Sequence, residues 1–277
     1  MNSVAIGAEV SSEFKYSDKE FKAIVKLVNK LTGIYLNDDK KPLTYSRFSK
    51  IIRRRRLSGF SDYIALVERG GDEIESEFIN SITTNFTSFF REDHHFAFLS
   101  QYLKSRTEKT PLKIWSAGCS TGEEPYTIAM TILECRGLPY EISIVATDLD
   151  RDVLAKAAAG VYAEDRISGL SPDRKSNFFL KGKGSNIGKV MVKPQLKRLI
   201  EFKQLNFMDE WSMSSRFDLI FCRNVMIYFD RITQNRLISK FARAQDKGGR
   251  LIIGHSENVG ADNPEYRLIG KTIYERK

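Results

Sequence analysis

The sequence predicts an α/β protein in three parts: a doubly wound sheet, a small N-terminal all-α domain, and an antiparallel β-subdomain inserted in the sheet domain. Three observations carry this. Apolar residues recur at three- and four-residue spacing up to about residue 84; from Leu112 short apolar runs alternate with helical stretches; and between Val161 and Phe207 that rhythm breaks into glycine-punctuated alternation. At 277 residues and 42% hydrophobic content the chain can bury a full core, so one larger domain plus an appendage is the natural division.

Residues 1–14 are small and polar and read as a tail. They lack the basic start and apolar stretch of a secretory signal, and no run approaches the ~18 apolar residues of a membrane span. The three cysteines, Cys119, Cys135 and Cys222, are odd in number and far apart, so they signal neither a disulfide framework nor a zinc site. A reducing cytoplasm is the simplest home. Over residues 15–84, Phe21, Ile24, Val25 and Val28 share a helical face, and Ser17 with Glu20 has the spacing of a capping box. Within this domain RFSKIIRRRR places Arg47, Lys50, Arg53, Arg54, Arg55 and Arg56 in ten residues. Uncompensated cations at that density repel, so an anionic docking surface is expected, with Arg47, Lys50 and Arg54 on one face.

Residues 85–277 form the sheet domain. LKIWSAG, ISIVATD, FDLIFC and RLIIG read as strands, and Glu124–Cys135, Arg151–Ala159 and Arg231–Gln245 as helices between them. Ligands of such sheets sit at the carboxyl ends of the strands, which brings Ala117–Gly122, Asp148 and Cys222–Asn224 to one edge. The interruption, about residues 163–203, carries Gly182, Gly184 and Gly188 before the alternating Val190 and Val192, as tight turns in a small antiparallel sheet require.

The turn after the first strand, AGCSTGEEP, lies where dinucleotide folds hold a pyrophosphate, but Glu123 and Glu124 repel phosphate there. A cationic, hydroxyl-bearing ligand suits it better; the plainer reading is that the two acids favour the first turn of a helix. Asp148 ends the second strand about thirty residues on, where one carboxylate accepts both hydroxyls of a ribose, while Asp150 and Asp152 cap the helix that follows. Arg223 and Asn224 end the third run at the same edge, with Tyr228 four residues beyond. Ahead of the first strand, TTNFTSFFRE interleaves Asn85, Thr87 and Arg91 with phenylalanines and reads as a ligand wall. His94, His95 and His255 have no ligand spacing and are expected to be structural, with no metal involved.

NFTSFFRE, WSAGCSTGEEPYTIAM, ATDLD, FCRNVMIYFD and GHSEN together resemble the chemotaxis protein methyltransferases, the CheR family, over nearly the whole chain. The resemblance implies a Rossmann-like sheet binding S-adenosylmethionine, with S-adenosylhomocysteine as product and no metal. It implies methyl esterification of glutamate side chains on the cytoplasmic domain of membrane chemoreceptors by a cytoplasmic enzyme recruited to receptor arrays; a monomer is the default expectation. Carried over by position, cofactor contacts fall on Asn85, Thr87, Arg91, Glu124, Asp148, Asn206, Phe207, Arg223 and Asn224, with Phe207 replacing a frequent leucine. Arg91 and Tyr228 are the residues expected to hold the substrate carboxylate. The arginine run is expected to meet the receptor, and the Gly182, Gly184 and Gly188 loop its C-terminal tail peptide, although Met191 stands where a peptide-gripping arginine is expected. Two other readings compete. A net charge of +9 fits a nucleic-acid methyltransferase, although the Asn/Asp-Pro-Pro-aromatic motif of amino-methylating enzymes is missing; the other is a cofactor-binding docking protein without catalysis.

Overall fold

A computed structural model describes residues 13–211 and 216–277, which divide into two compact units. The tail expected over residues 1–14 lies outside the described residues except for Glu13 and Phe14.

The first unit is all helical: α1 (Asp18–Thr32), α2 (Lys41–Arg54), α3 (Phe60–Arg69) and α4 (Asp72–Ile82). The capping box is formed, with Ser17 N donating to Glu20 Oε2 at 2.7 Å and Glu20 N to Ser17 Oγ at 3.3 Å. Ile24, Ile52, Phe60 and Tyr63 are fully buried, and Phe48 stacks on Phe78 with ring centroids 4.9 Å apart. The expectation of an uncompensated Arg47–Arg56 run is corrected here. Arg47 Nη1 donates to the carbonyls of Ser81 (3.2 Å) and Ile82 (2.7 Å) at the end of α4, where the helix dipole favours a cation. Arg53 pairs with Glu13, Arg54 with Glu77, and Arg55 with Glu73 and Glu77. These acids come from positions 18 to 40 residues away in sequence, so a local charge count does not show them. Arg47 and Arg54, expected on one face, both turn to α4. Lys50 and Arg56 remain exposed, Arg56 beyond the end of α2 with φ +55°.

The second unit runs α5 (His94–Ser105), β1 (Leu112–Ala117), α6 (Glu123–Glu134), β2 (Ile142–Asp148) and α7 (Arg151–Ala159). It continues with β3 (Val161–Ala163), α8 (Pro172–Phe178), β4 (Phe179–Lys181), β5 (Lys189–Val192), α9 (Pro194–Lys197) and β6 (Ile200–Gln204), then β7 (Leu219–Cys222), α10 (Arg231–Arg243), β8 (Arg250–Ile253), β9 (Tyr266–Gly270) and β10 (Ile273–Arg276). The main sheet has the order β6-β2-β1-β7-β8-β10-β9, parallel from β6 to β8 and antiparallel through β10 and β9. From β1 the chain winds outward through β2 to β6, then returns to the other side of β1 at β7. The crevice at the carboxyl ends of β1 and β7 is the switch point.

Both faces of this sheet are covered, which is why its strands read as continuous apolar runs. Ile114 and Phe221 pack with Leu99, Ile128 and Met130 on one face; Trp115, Ile220 and Cys222 pack with Leu237 and Phe241 on the other. The small antiparallel sheet is ordered β3-β5-β4. The boundary expected near residue 203 is corrected: Ile200–Gln204 pairs in parallel with β2 and belongs to the main sheet. The alternation of IEFKQ resembles that of the insertion, and only pairing distinguishes them. Among the described residues no helix is long and apolar enough to cross a membrane.

Candidate active site

Three chain reversals build the site. After β1 the chain turns through Gly118 (φ +83°), Ser120 (φ +49°) and Gly122 (φ +95°) into α6. Gly118 is required there, since a Cβ would come within 2.5 Å of Val225 Cγ2. At the end of β2, Asp148 Oδ2 accepts Ser120 N at 2.8 Å and Oδ1 accepts Asp150 N at 3.0 Å. Each oxygen retains a lone pair for a ligand hydroxyl. Burial raises the Asp148 carboxyl to about 6, with the backbone N–H groups of Asp150, Ser120 and Leu149 opposing the shift. Asp150 caps α7 through Asp152 N (2.9 Å) and Val153 N (3.2 Å), and its other oxygen accepts Thr83 Oγ1 (3.0 Å) and Asn85 Nδ2 (2.9 Å). Asp150 thus does more than cap a helix: it fixes the segment leading to Arg91 against the end of β2.

At the end of β7, Arg223 is buried between two acids. Its Nη1 lies 3.0 Å from Glu124 Oε2, its Nη2 lies 3.4 Å from Glu92 Oε2, and Nη2 also donates to the Arg91 carbonyl. Glu124 Oε1 accepts Ser116 Oγ at 2.7 Å. Burial pushes the Glu124 carboxyl up, opposed by Arg223 and Ser116. Asn224 follows with φ +59°. Its loop is gathered by the buried carboxylate of Glu257, which accepts the backbone N–H groups of Asn224 (2.8 Å), Val225 (2.9 Å), Met226 (2.7 Å) and Gly254 (2.5 Å). Tyr228 closes this turn with its hydroxyl 3.5 Å from the Thr84 carbonyl.

The structure brings Asn85, Asp148 and the Ser120 turn together, as it does Arg91, Glu124, Arg223 and Asn224. Arg91 Nη1 donates to the Phe86 carbonyl at 3.0 Å, leaving the rest of its fork available. Thr87 contributes its carbonyl to Arg166. Asn206 Oδ1 accepts Met208 N at 3.0 Å, and Phe207 packs into the Trp115, Trp211 and Phe241 cluster. Glu123 is buried against Arg166 and Thr121. The Arg47–Arg56 run belongs to the first unit, and Gly182, Gly184 and Gly188 to the segment between β4 and β5 of the second. Glu92 and Glu257 were assigned no role at the site, although each lies in a segment that carries the resemblance, NFTSFFRE and GHSEN; the fold shows what they hold beside β7.

The donor set decides what this crevice holds. The strand-end carboxylate of Asp148, with open lone pairs, opposes a phosphate and suits ribose hydroxyls, while the turn acids Glu123 and Glu124 are paired with Arg166 and Arg223. A doubly wound sheet with that chemistry at its switch point defines an S-adenosylmethionine-dependent methyltransferase. Family comparison agrees: "CheR methyltransferase, all-alpha domain" matches residues 19–83 and "CheR methyltransferase, SAM binding domain" residues 85–274. The chain belongs to the CheR methyltransferase family. It is 41% identical over 267 residues to "Chemotaxis protein methyltransferase 2" of Pseudomonas aeruginosa, covering 95% of each chain. It is 37% identical to "Chemotaxis protein methyltransferase" of Escherichia coli K12, covering 96% of this chain and 93% of that one. Its identity to the protein of that name from Borreliella burgdorferi is 42%, over 89% of this chain and 91% of that one.

Proposed function

We propose that this protein methylates glutamate side chains on the cytoplasmic domain of chemotaxis receptors, forming glutamyl methyl esters, and that it does so in the cytoplasm at receptor arrays. One observation carries the choice of a carboxylate acceptor: Arg91 and Tyr228 are both anchored on the Thr84–Phe86 backbone, beside the reversal that holds Asn224. A guanidinium and a phenol there suit an anionic acceptor. S-adenosylmethionine supplies an already activated methyl group, and glutamate is ionised at neutral pH, so no strong base is needed. The chain's own task is to align the acceptor oxygen and exclude water. Asn85, Thr87, Asp148, Asn206, Phe207 and Asn224 are the residues that would hold the cofactor, with Glu124 and Arg223 bracing the edge of β7.

The test offers labelled S-adenosylmethionine with receptor fragment and RNA in parallel. Base-labile label on the receptor fragment is expected; label on RNA, or none, overturns the reading. Tyr228→Phe removes one hydrogen bond to a charged group, so kcat is expected to fall about tenfold or more with cofactor affinity unchanged. Turnover at the wild-type rate would remove Tyr228 from the chemistry.

Docking is assigned to the basic face of α2. Of the six cations, Arg53, Arg54 and Arg55 pair with Glu13, Glu73 and Glu77, so a positive excess remains, with Lys50 and Arg56 exposed. Lys50→Glu with Arg56→Glu is expected to raise the apparent KM for receptor several-fold at low salt, and the difference is expected to shrink as screening shortens toward ~8 Å. An equal loss with a short glutamyl peptide would count against docking. The receptor's tail peptide is assigned to a free edge of the small sheet by strand addition. Gly184 (φ +57°) and Gly188 (φ +81°) shape the turn between β4 and β5, and a Cβ on Gly182 would strike the Asn186 carbonyl. Met191 and Lys189 are exposed on the central strand, β5, so they would meet the peptide from the face of the sheet and not from its edge.

A further inference from the structure

The chain's three histidines come together beside the β7 edge. His94 lies against His95 with ring centroids 4.0 Å apart and stacks on His255 at 4.9 Å, with 12° between the ring planes. Glu92 stands between this cluster and the site. One oxygen accepts Asn224 Nδ2 at 3.3 Å and His255 N at 3.4 Å; the other lies 3.4 Å from Arg223 Nη2 and 3.5 Å from His95 Nδ1. Two further observations mark this place. Buried polar atoms without a hydrogen-bond partner among the described residues concentrate here: Glu92 Oε2, His94 Nε2, His95 Nδ1 and Arg223 Nε. Left-handed backbone at non-glycine residues does so too: Phe90, Glu92, Asn224 and Thr272 all have positive φ, and Thr272 Oγ1 lies 2.9 Å from His95 Nε2. Orphaned polar groups and backbone strain at one site are the mark of an arrangement held for function, since each costs stability.

We propose that Glu92 is a positioning residue for methyl transfer, holding the Asn224 side chain at the carboxyl edge of β7, and that the three imidazoles beside it govern that hold. The inference rests on the reading that Asn224 touches the bound S-adenosyl group. Glu92 has two sets of partners. With the imidazoles neutral, its charge is shared by Arg223 and the Asn224 amide, while His95 Nδ1 stands 3.5 Å from the second oxygen without a hydrogen bond and Nε2 lies 2.9 Å from Thr272 Oγ1. A protonated imidazole adds a cation within the cluster and draws the carboxylate from Asn224.

The groups facing the imidazoles favour the neutral state. Burial, Arg223 and the neighbouring histidines push His95 down to about 3, with Glu92 opposing. Burial, His255, Lys271 and Arg223 push His94 down, again against Glu92. Burial works against the charged Glu92, but Arg223, Asn224 and His255 outweigh it and hold its carboxyl below the ordinary value. Glu124, on the far side of Arg223, is the remaining charge in reach and is itself pushed up by burial. Cofactor contact with Asn224 and protonation of the cluster therefore oppose each other, and by linkage each weakens the other equally.

Because all three histidines lie here, the imidazole signals of the full chain report this cluster alone. The test follows those signals by NMR from pH 5 to 8, with and without saturating S-adenosylhomocysteine. In the wild-type chain, ligand is expected to move at least one imidazole midpoint downward by about 0.7 pH unit, roughly a fivefold coupling. Glu92→Gln is expected to bind the ligand more weakly and to lose that displacement. Should Glu92→Gln not fold, Asn224→Gly suits the left-handed backbone, removes the amide, and is expected to lose the displacement with Glu92 in place. A wild-type chain without the displacement, or either variant retaining it, overturns the proposal. The readout uses no methyl acceptor, so failure of receptor methylation would count against the glutamate reading and not against this one.

Discussion

Glu124→Ala is expected to destabilise the second unit by about 3–5 kcal/mol, the cost of stranding one member of a buried ion pair. Two groups lose their partner at once. Arg223, whose side chain is 2% exposed, keeps only Glu92 at 3.4 Å as a counter-charge, and Ser116 Oγ loses its acceptor. Nothing nearby replaces them: water reaches neither atom, and the surrounding strands supply apolar side chains. Glu124→Gln is expected to cost less than half as much, because an amide oxygen still accepts from Ser116 or Arg223 and only the charge is lost. Urea unfolding followed by tryptophan fluorescence measures this directly, since Trp115 and Trp211 both lie in the second unit. A loss below ~1 kcal/mol for the alanine variant would mean that Glu124 does not hold Arg223, and would return it to the cofactor contact that the family resemblance implies. The Glu124→Gln chain, folded, then allows cofactor affinity to be measured without that confusion.

How legible the molecule was depends on the range of the interaction. Period and turn residues are local, so the four N-terminal helices, the alternation from β1 to β8 and the Ser17–Glu20 box can be read from short windows. Asp148 was legible because a strand end places it, and Asp150 in part, because a cap is local. What sequence did not show is which distant partner each charge finds. Glu77 and Glu73 neutralise much of the arginine run from α4, and Arg47 turns to carbonyls at residues 81 and 82. Glu257 collects four backbone N–H groups from two loops whose separation in sequence is about thirty residues. His94 and His95 meet His255 only because α5 and the turn after β8 reach the same edge. Side chains that look alike in sequence thus separate into surface, brace and site by contacts that form only when the sheet closes.

The other large effect belongs to Asp148. Asp148→Ala is expected to weaken S-adenosylmethionine binding by about 1.5–3 kcal/mol, the scale of hydrogen bonds to a charged group. The pH dependence makes the test specific. The carboxyl sits at about 6 because burial raises it, while Ser120 N and Asp150 N favour the charged form. Only the ionised group accepts from both ribose hydroxyls, and those hydroxyls favour ionisation further when bound. Affinity is therefore expected to be level above about pH 7 and to fall as pH drops through 6, by up to about tenfold per unit. Stability of the unligated protein moves the other way at this residue. Its folded pKa lies above the unfolded value of 3.8, so the native state binds the proton more readily, and the cost of the buried charge, up to about 3 kcal/mol, is relieved as pH falls from 7 toward 4. Calorimetric titration from pH 5 to 8 is expected to show the acid fall in the wild-type chain. In Asp148→Ala it is expected to show a nearly flat profile, with only the slope contributed by the imidazoles. If Asp148→Ala binds with wild-type affinity at pH 7.5, the ribose does not lie on this strand end. If affinity falls but the full acid slope persists, the proton is taken up elsewhere, and Asp148 shapes the turn at Ser120 without meeting the ligand.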